Sequence, residues 1–267
     1  MINITKSDLE KIEKPDSVFQ KKLFKTKIKP SKAFCHLELG IKPLRYNMME
    51  KRLSFLKYIL EQEPETIMKQ VYNEQKVKHR KGDFVDQIEK DKAELNIKLE
   101  DKEIKEMTKS KWKDMIKQKT EEKAFKDLLK ENSEKTKTKD IVFESLKLSD
   151  YLKENINSTL SNIIFSIRSG TLDTKQWNSW SYENNLCLMC ELKEETMDHL
   201  MECQSYGTKS ENIKWRDIYK NNTEKQFEIA KEVQKRLKIR NMKKEEAGLD
   251  STLGSTAPTY VEHLEIN

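Results

Sequence analysis

Three of the four cysteines and one of the four histidines fall within seventeen residues, in the order Cys187-x2-Cys190-x8-His199-x3-Cys203. No other feature restricts the folding of this chain so sharply. A Cys-x2-Cys turn delivers two thiolates to one point. A His and a Cys four residues apart on a helical turn share a face, so the four donors can close a tetrahedron around one Zn2+. The segment Glu195 to Glu202 supplies that helix. Thiolates at about 2.3 Å and an imidazole at about 2.0 Å complete the coordination of zinc and leave no position for a catalytic water, so the spacing predicts a structural ion. The competing reading, buried thiols beside a satisfied histidine, needs a core that the segment lacks. Between Tyr182 and Cys203 the apolar residues are only Leu186, Leu188, Met189, Leu192, Met197, Leu200 and Met201. Metal binding, worth an apparent ~10–16 kcal/mol in small zinc peptides, would substitute for the missing burial.

Elsewhere the chain must fold on thin cores, because charged residues (37%) outnumber apolar ones (35%). Six Gly and five Pro are too few for the turns that many short strands need, while Lys, Glu and Leu abound. The expected fold is all-α, an irregular multi-helix bundle with a small Cys-Cys-His-Cys knuckle inserted and a disordered C-terminal tail. Helices are predicted over Ser17 to Ile28, Ser31 to Leu39 (closed by Gly40), Pro43 to Leu60, Glu65 to Val77, Asp83 to Leu95, Thr108 to Glu131, Ser158 to Arg168, Ile213 to Lys220 and Thr223 to Lys244. The organisation read from these is a flexible N-terminus (1–16), a helical bundle (17–170), a loop with the knuckle (171–210), C-terminal helices (211–247) and a disordered tail (248–267).

The sequence has neither a secretory leader pattern nor a run of eighteen apolar residues, which points to an intracellular chain without a membrane partner. In a reducing compartment cysteines serve metal binding better than disulfides, and Cys35 is left as a single buried thiol.

Charge is unevenly placed. Residues 1–60 carry fourteen Lys/Arg against six Asp/Glu, a surplus of eight in a chain whose net charge is +6. Lys21, Lys22, Lys25, Lys27, Lys29 and Lys32 sit in twelve residues, with no carboxylate between Asp16 and Glu38. They are candidate phosphate contacts, against the plainer reading of a solvated helix face. The knuckle is unsuited to that role, since residues 183–203 hold six Asp/Glu and one Lys. Contacts near it would fall to its flanks, with Arg168, Lys175, Trp177 and Trp180 before it and Lys209, Lys214, Trp215 and Arg216 after. Aromatics beside cations stack bases at about 1–3 kcal/mol each, although such Trp residues more often serve a core.

Several chemistries have no residues to carry them. There is no Asp-Asp pair, Gly-rich phosphate loop, Gly-x-Ser-x-Gly or His-Glu-x-x-His. Cys35 and His36 are adjacent and would point about 100° apart on a helix, so they cannot work as nucleophile and base. No catalytic residue is expected.

Taken in order, FCHLELGIKPL (Phe34–Leu44), RLSFLKYIL (Arg52–Leu60), SKWKDMIK (Ser110–Lys117), DHLMEC (Asp198–Cys203), WRDIY (Trp215–Tyr219) and IAKEVQKRLKIR (Ile229–Arg240) resemble the C-terminal part of LINE-type non-LTR retrotransposon reverse transcriptases. In that family a helical thumb-like region and a Cys-Cys-His-Cys knuckle follow the catalytic palm. The resemblance spans residues 17–245 and implies that Cys187, Cys190, His199 and Cys203 are zinc ligands. It further implies RNA or DNA as partner, single-stranded RNA first, and a nuclear place of action. The palm carboxylates are missing, so it implies a non-catalytic fragment or decayed remnant, with any palm supplied by another chain. The alternative is a structural or protein-interaction helical protein whose zinc only staples a weak core.

Overall fold

The computed structural model describes residues 11–12, 22, 24, 26, 29–153, 158–176, 184–207 and 213–246. The expected tail at 248–267, all but two residues of the N-terminus at 1–16, and most of the expected helix from Ser17 to Ile28 lie outside the described residues. Within them the fold is all-α: nine α-helices, three short 3-10 turns and two isolated β-bridges. No helix among them is long and apolar enough to cross a membrane. The helices are α1 (Lys32–Leu39), α2 (Leu44–Glu61), α3 (Ile67–Lys78), α4 (Phe84–Glu94), α5 (Asp101–Glu106), α6 (Lys109–Ser133), α7 (Ser158–Arg168), α8 (Met197–Glu202) and α9 (Thr223–Glu246). The chain divides into two compact units, one of residues up to Asp173 with Arg216–Ala230, the other of Thr174–Trp215 with the residues from Lys231 onward.

In the first unit, α2 is the central element, packing on α3, α4, α5 and α6. Its Tyr46, Met49, Leu53, Leu56 and Leu60 recur at helical spacing and are buried, each large apolar group contributing about 1.5–3 kcal/mol. Trp112 of α6 closes this core, its indole N–H donating to the Leu53 carbonyl at 2.9 Å. Buried charges are used as fasteners. The Lys57 ammonium donates to the carbonyls of Ile104 and Lys105 at 2.8 Å each and to that of Met107 at 2.5 Å, holding the last turn of α5. Arg52 grips Asp91 with two bonds of 2.6 and 2.8 Å.

Helix α1 ends where the sequence says it should. Gly40 takes φ +64°, and a Cβ there would lie 2.4 Å from the Lys147 carbonyl carbon, so both conformation and space require glycine. The strand-like passage over it pairs Leu39 with Leu148, and Ser149 N–H donates to the Glu38 carbonyl. Cys35 is fully buried, as expected of a structural thiol.

One helix was not foreseen, and one expected helix is a shorter 3-10 turn. Asp101–Glu106 is a helix although only Ile104 is apolar on its buried side, because Glu103 accepts from the Glu100 N–H at 2.8 Å and Lys57 caps the other end. Residues from Ile213 to Lys220 form only a 3-10 turn at Trp215–Tyr219. There the Ile218 carbonyl accepts from Arg168 at 2.8 Å and Gln226 at 3.2 Å, and the Lys220 carbonyl accepts from Gln226 at 2.8 Å.

Candidate metal centre

The second unit is organised around the four predicted donors. Residues 184–195 form a tight hairpin bridged at Leu186 and Glu194. Cys187 N–H donates to the Lys193 carbonyl at 2.7 Å, Glu195 N–H to the Asn185 carbonyl at 2.7 Å, and Glu191 N–H to the Cys187 carbonyl at 2.8 Å. Glu191 turns the tip in the left-handed region, at φ 58°. The chain then enters α8, which starts at Met197 because the Thr196 hydroxyl accepts from the His199 N–H at 3.0 Å. His199 on the first turn and Cys203 at the cap lie four apart, with Cys203 N–H donating to the His199 carbonyl at 2.8 Å. Hairpin tip and helix face converge.

The thiols of Cys187, Cys190 and Cys203 and the His199 ring lie within 4.8 Å of one another, with Cys190 Sγ 3.2 Å from His199 Nε2. A tetrahedral ion bound by three thiolates and one imidazole spaces its donors about 3.5–3.8 Å apart, a range those separations bracket, so the residues fit a single metal ion. Cys187 and Cys203 are buried, while Cys190 and His199 are partly exposed.

The electrostatics are asymmetric. Burial pushes the Cys187 thiol up to about 11, against amide hydrogen bonds from Cys190 and Met189 and with added repulsion from the other two cysteines. Cys190 is drawn down to about 6: burial opposes its ionisation, but the Leu192 amide, the His199 ring and the Lys193 amide outweigh it. The protein thus supplies one thiolate readily, and a bound dication would supply the field that ionises the others.

What fixes this assembly is a set of residues that reading the sequence missed. The Glu195 carboxylate, fully buried, receives the Arg240 guanidinium at 2.7 and 3.1 Å, the Lys175 N–H at 3.0 Å and the Leu188 N–H at 3.4 Å. Arg236, four residues before Arg240 on α9, bonds Glu232 at 2.8 Å and donates to the carbonyls of Leu200 at 2.9 Å and Cys203 at 3.3 Å, with its guanidinium 5.5 Å from the Tyr206 ring centre. Both arginines are 1% exposed. Lys243 reaches the Met189 carbonyl at 3.3 Å. The signal was available in Glu232-x3-Arg236-x3-Arg240, which puts an acid and two arginines on one helical face beside the buried Ile229 and Val233.

The expected nucleic-acid contacts are placed unevenly. Lys22 and Lys29 are exposed and Lys32 is half-buried, while Lys21, Lys25, Lys27, Trp177, Trp180 and Lys209 lie outside the described residues. Arg168 corrects its expectation. It lies in the first unit, 1% exposed, with its Nε 2.6 Å from Glu38, whose other oxygen accepts from Ser149 at 2.5 Å. A guanidinium committed to a buried carboxylate has no surface to offer a phosphate. Lys175 is likewise buried, its ammonium 3.1 Å from Asn184 Oδ1, and burial lowers its pKa. Lys214 and Arg216 are exposed, and Trp215 between them donates to Asp198 at 2.8 Å. No known protein family, curated protein or solved structure matches this chain.

Proposed function

We propose that the chain is a non-catalytic nucleic-acid-binding module, stapled by a structural Zn2+ on Cys187, Cys190, His199 and Cys203. In this reading it descends from the C-terminal region of a LINE-type reverse transcriptase, as its sequence resemblance implies. Zinc is the ion of choice because three thiolates and one imidazole in a closed tetrahedron suit it, and because the site leaves no ligand position for chemistry.

The observation that carries the reading is the two-faced character of α9. Its inner face spends Arg236 and Arg240 on holding the knuckle, while Lys231, Lys235 and Lys238 are exposed at i, i+4 and i+7 on the outer face. Among the described residues, of these three only Lys235 forms an ion pair, with Glu232 at 3.8 Å. Successive lysines are about 6 and 4.5 Å apart along the helix axis, a row of cations that a phosphate chain can follow. The acidic knuckle contributes rigidity rather than contact, and Lys22 and Lys29 add separate cations. Single-stranded RNA is the favoured ligand.

The test is RNA binding by the zinc-loaded chain as a function of salt. Three phosphate contacts give a log-log salt slope of about −2 for a single strand. Lys231→Glu/Lys235→Glu/Lys238→Glu should remove most of that slope and most of the affinity. Binding untouched by salt or by this triple substitution would leave the second reading, a metal-stapled interaction protein. That reading is favoured by the six acids against one lysine in residues 183–203.

A further inference from the structure

Helix α3 buries one side chain, Tyr72, and leaves Ile67 78% exposed, Val71 44% and Val77 82%. At 100° per residue these three branched side chains fall within an arc of about 120°. On α2, which packs against α3, Phe55 and Tyr58 are also exposed, stacked with ring centres 5.9 Å apart. A chain this poor in apolar residues has concentrated a large share of its exposed ones on two adjacent helices, the mark of a surface that something covers.

The charges around α3 say what the cover is. Glu63 and Glu65 stand before its start, while Lys78, Arg80 and Lys81 stand at and beyond its end. Glu63, Glu65, Arg80 and Lys81 are exposed and form no ion pair among the described residues, whereas Lys78 pairs with Glu74. The pattern is its own complement. Lay a second α3 antiparallel on the first, with the two-fold axis at Tyr72, and Ile67 comes opposite Val77, five residues to either side. Glu63 comes opposite Lys81, nine residues to either side, and Glu65 comes opposite His79, seven residues to either side and next to Arg80. Every contact off the axis occurs twice, as an isologous interface demands, and the branched side chains, which share their arc with the Glu74–Lys78 pair, are closed at both ends by opposite charges. A parallel pairing would set acid on acid and base on base.

We propose that α3 is the self-association surface of this protein, its occupant being α3 of a second copy. The inference is independent of nucleic-acid binding. Sedimentation velocity on the full zinc-loaded chain, from low to high micromolar, is the measurement. A monomer–dimer equilibrium is expected that tightens as salt is lowered. Val71→Glu weakens it about a hundredfold by placing a carboxylate near the axis. Glu63→Lys/Glu65→Lys and Arg80→Glu/Lys81→Glu each weaken it about tenfold, and the chain carrying all four substitutions dimerises like the original, because the charges are complementary again. Far-ultraviolet circular dichroism checks that each variant keeps its helices. A monomer at every concentration, a dimer indifferent to Val71→Glu, or charge reversals that fail to rescue one another would each overturn the proposal.

Discussion

Arg240 lies across the carboxylate of Glu195, Nη2 to Oε1 at 2.7 Å and Nε to Oε2 at 3.1 Å, with both side chains at most 1% exposed. Glu195 immediately precedes the Thr196 cap of the helix that carries His199 and is capped by Cys203, so the pair ties the donor cluster to α9. Removing one member leaves a buried charge alone. Arg240→Ala should therefore cost about 3–5 kcal/mol in the unit holding the knuckle. Denaturant unfolding followed by metal release would measure it, and Arg240→Met/Glu195→Met should cost clearly less than the single change.

Metal content gives the plainest check of the donor cluster. Zinc-loaded protein should hold one ion per chain, and Cys187→Ser/Cys190→Ser should hold none, by elemental analysis. In hydrogen exchange, removal of the ion by a chelator should expose amides over residues 184–207 while those of α2 and α6 stay protected.

Lys57 caps the last turn of α5 with three hydrogen bonds to carbonyls. Lys57→Met keeps the packing and removes the donors, at a cost of about 2–3 kcal/mol in thermal or urea unfolding.

Asp101 responds to pH in a predictable direction. Burial raises its pKa, but hydrogen bonds from Lys76 and Tyr72, with the Lys76 charge, outweigh burial and leave it below the ordinary carboxylate value. A depressed folded-state pKa means stability that is fully present above the unfolded value of about 3.9 and is lost as pH falls through the folded one. Urea unfolding below pH 4 should show this loss in the natural chain and a flatter profile for Asp101→Asn.

Gly40→Ala should be among the most damaging single-methyl additions. It combines a left-handed residue with a clash against the backbone at Lys147 and Leu148, and should cost about 2–5 kcal/mol by thermal unfolding.

What could be read from the sequence was what is encoded locally. Gly40 closes α1 because a left-handed helix end is decided by the residue at it, and the cysteine spacing foretold the donor cluster because turn and helix geometry set it within seventeen residues. Partners distant in sequence escaped. Arg168 was assigned to the surface, yet its carboxylate, Glu38, is 130 residues away, and nothing in the local charge pattern distinguishes a buried arginine from a solvated one. The anchoring roles of Glu195 and Arg240, 45 residues apart, were hidden for the same reason. Helix α5 was missed because caps and a remote lysine make it, with hardly any apolar periodicity.

The donor cluster has an interior and a doorway. Cys187 and Cys203 sit within the fold, while Cys190 and His199 stand at the solvent edge. For an ion held there, ligand exchange would be directional. An incoming chelator or thiol oxidant would meet the doorway pair first, while an ion dislodged from those two donors would still be held by the two interior sulfurs.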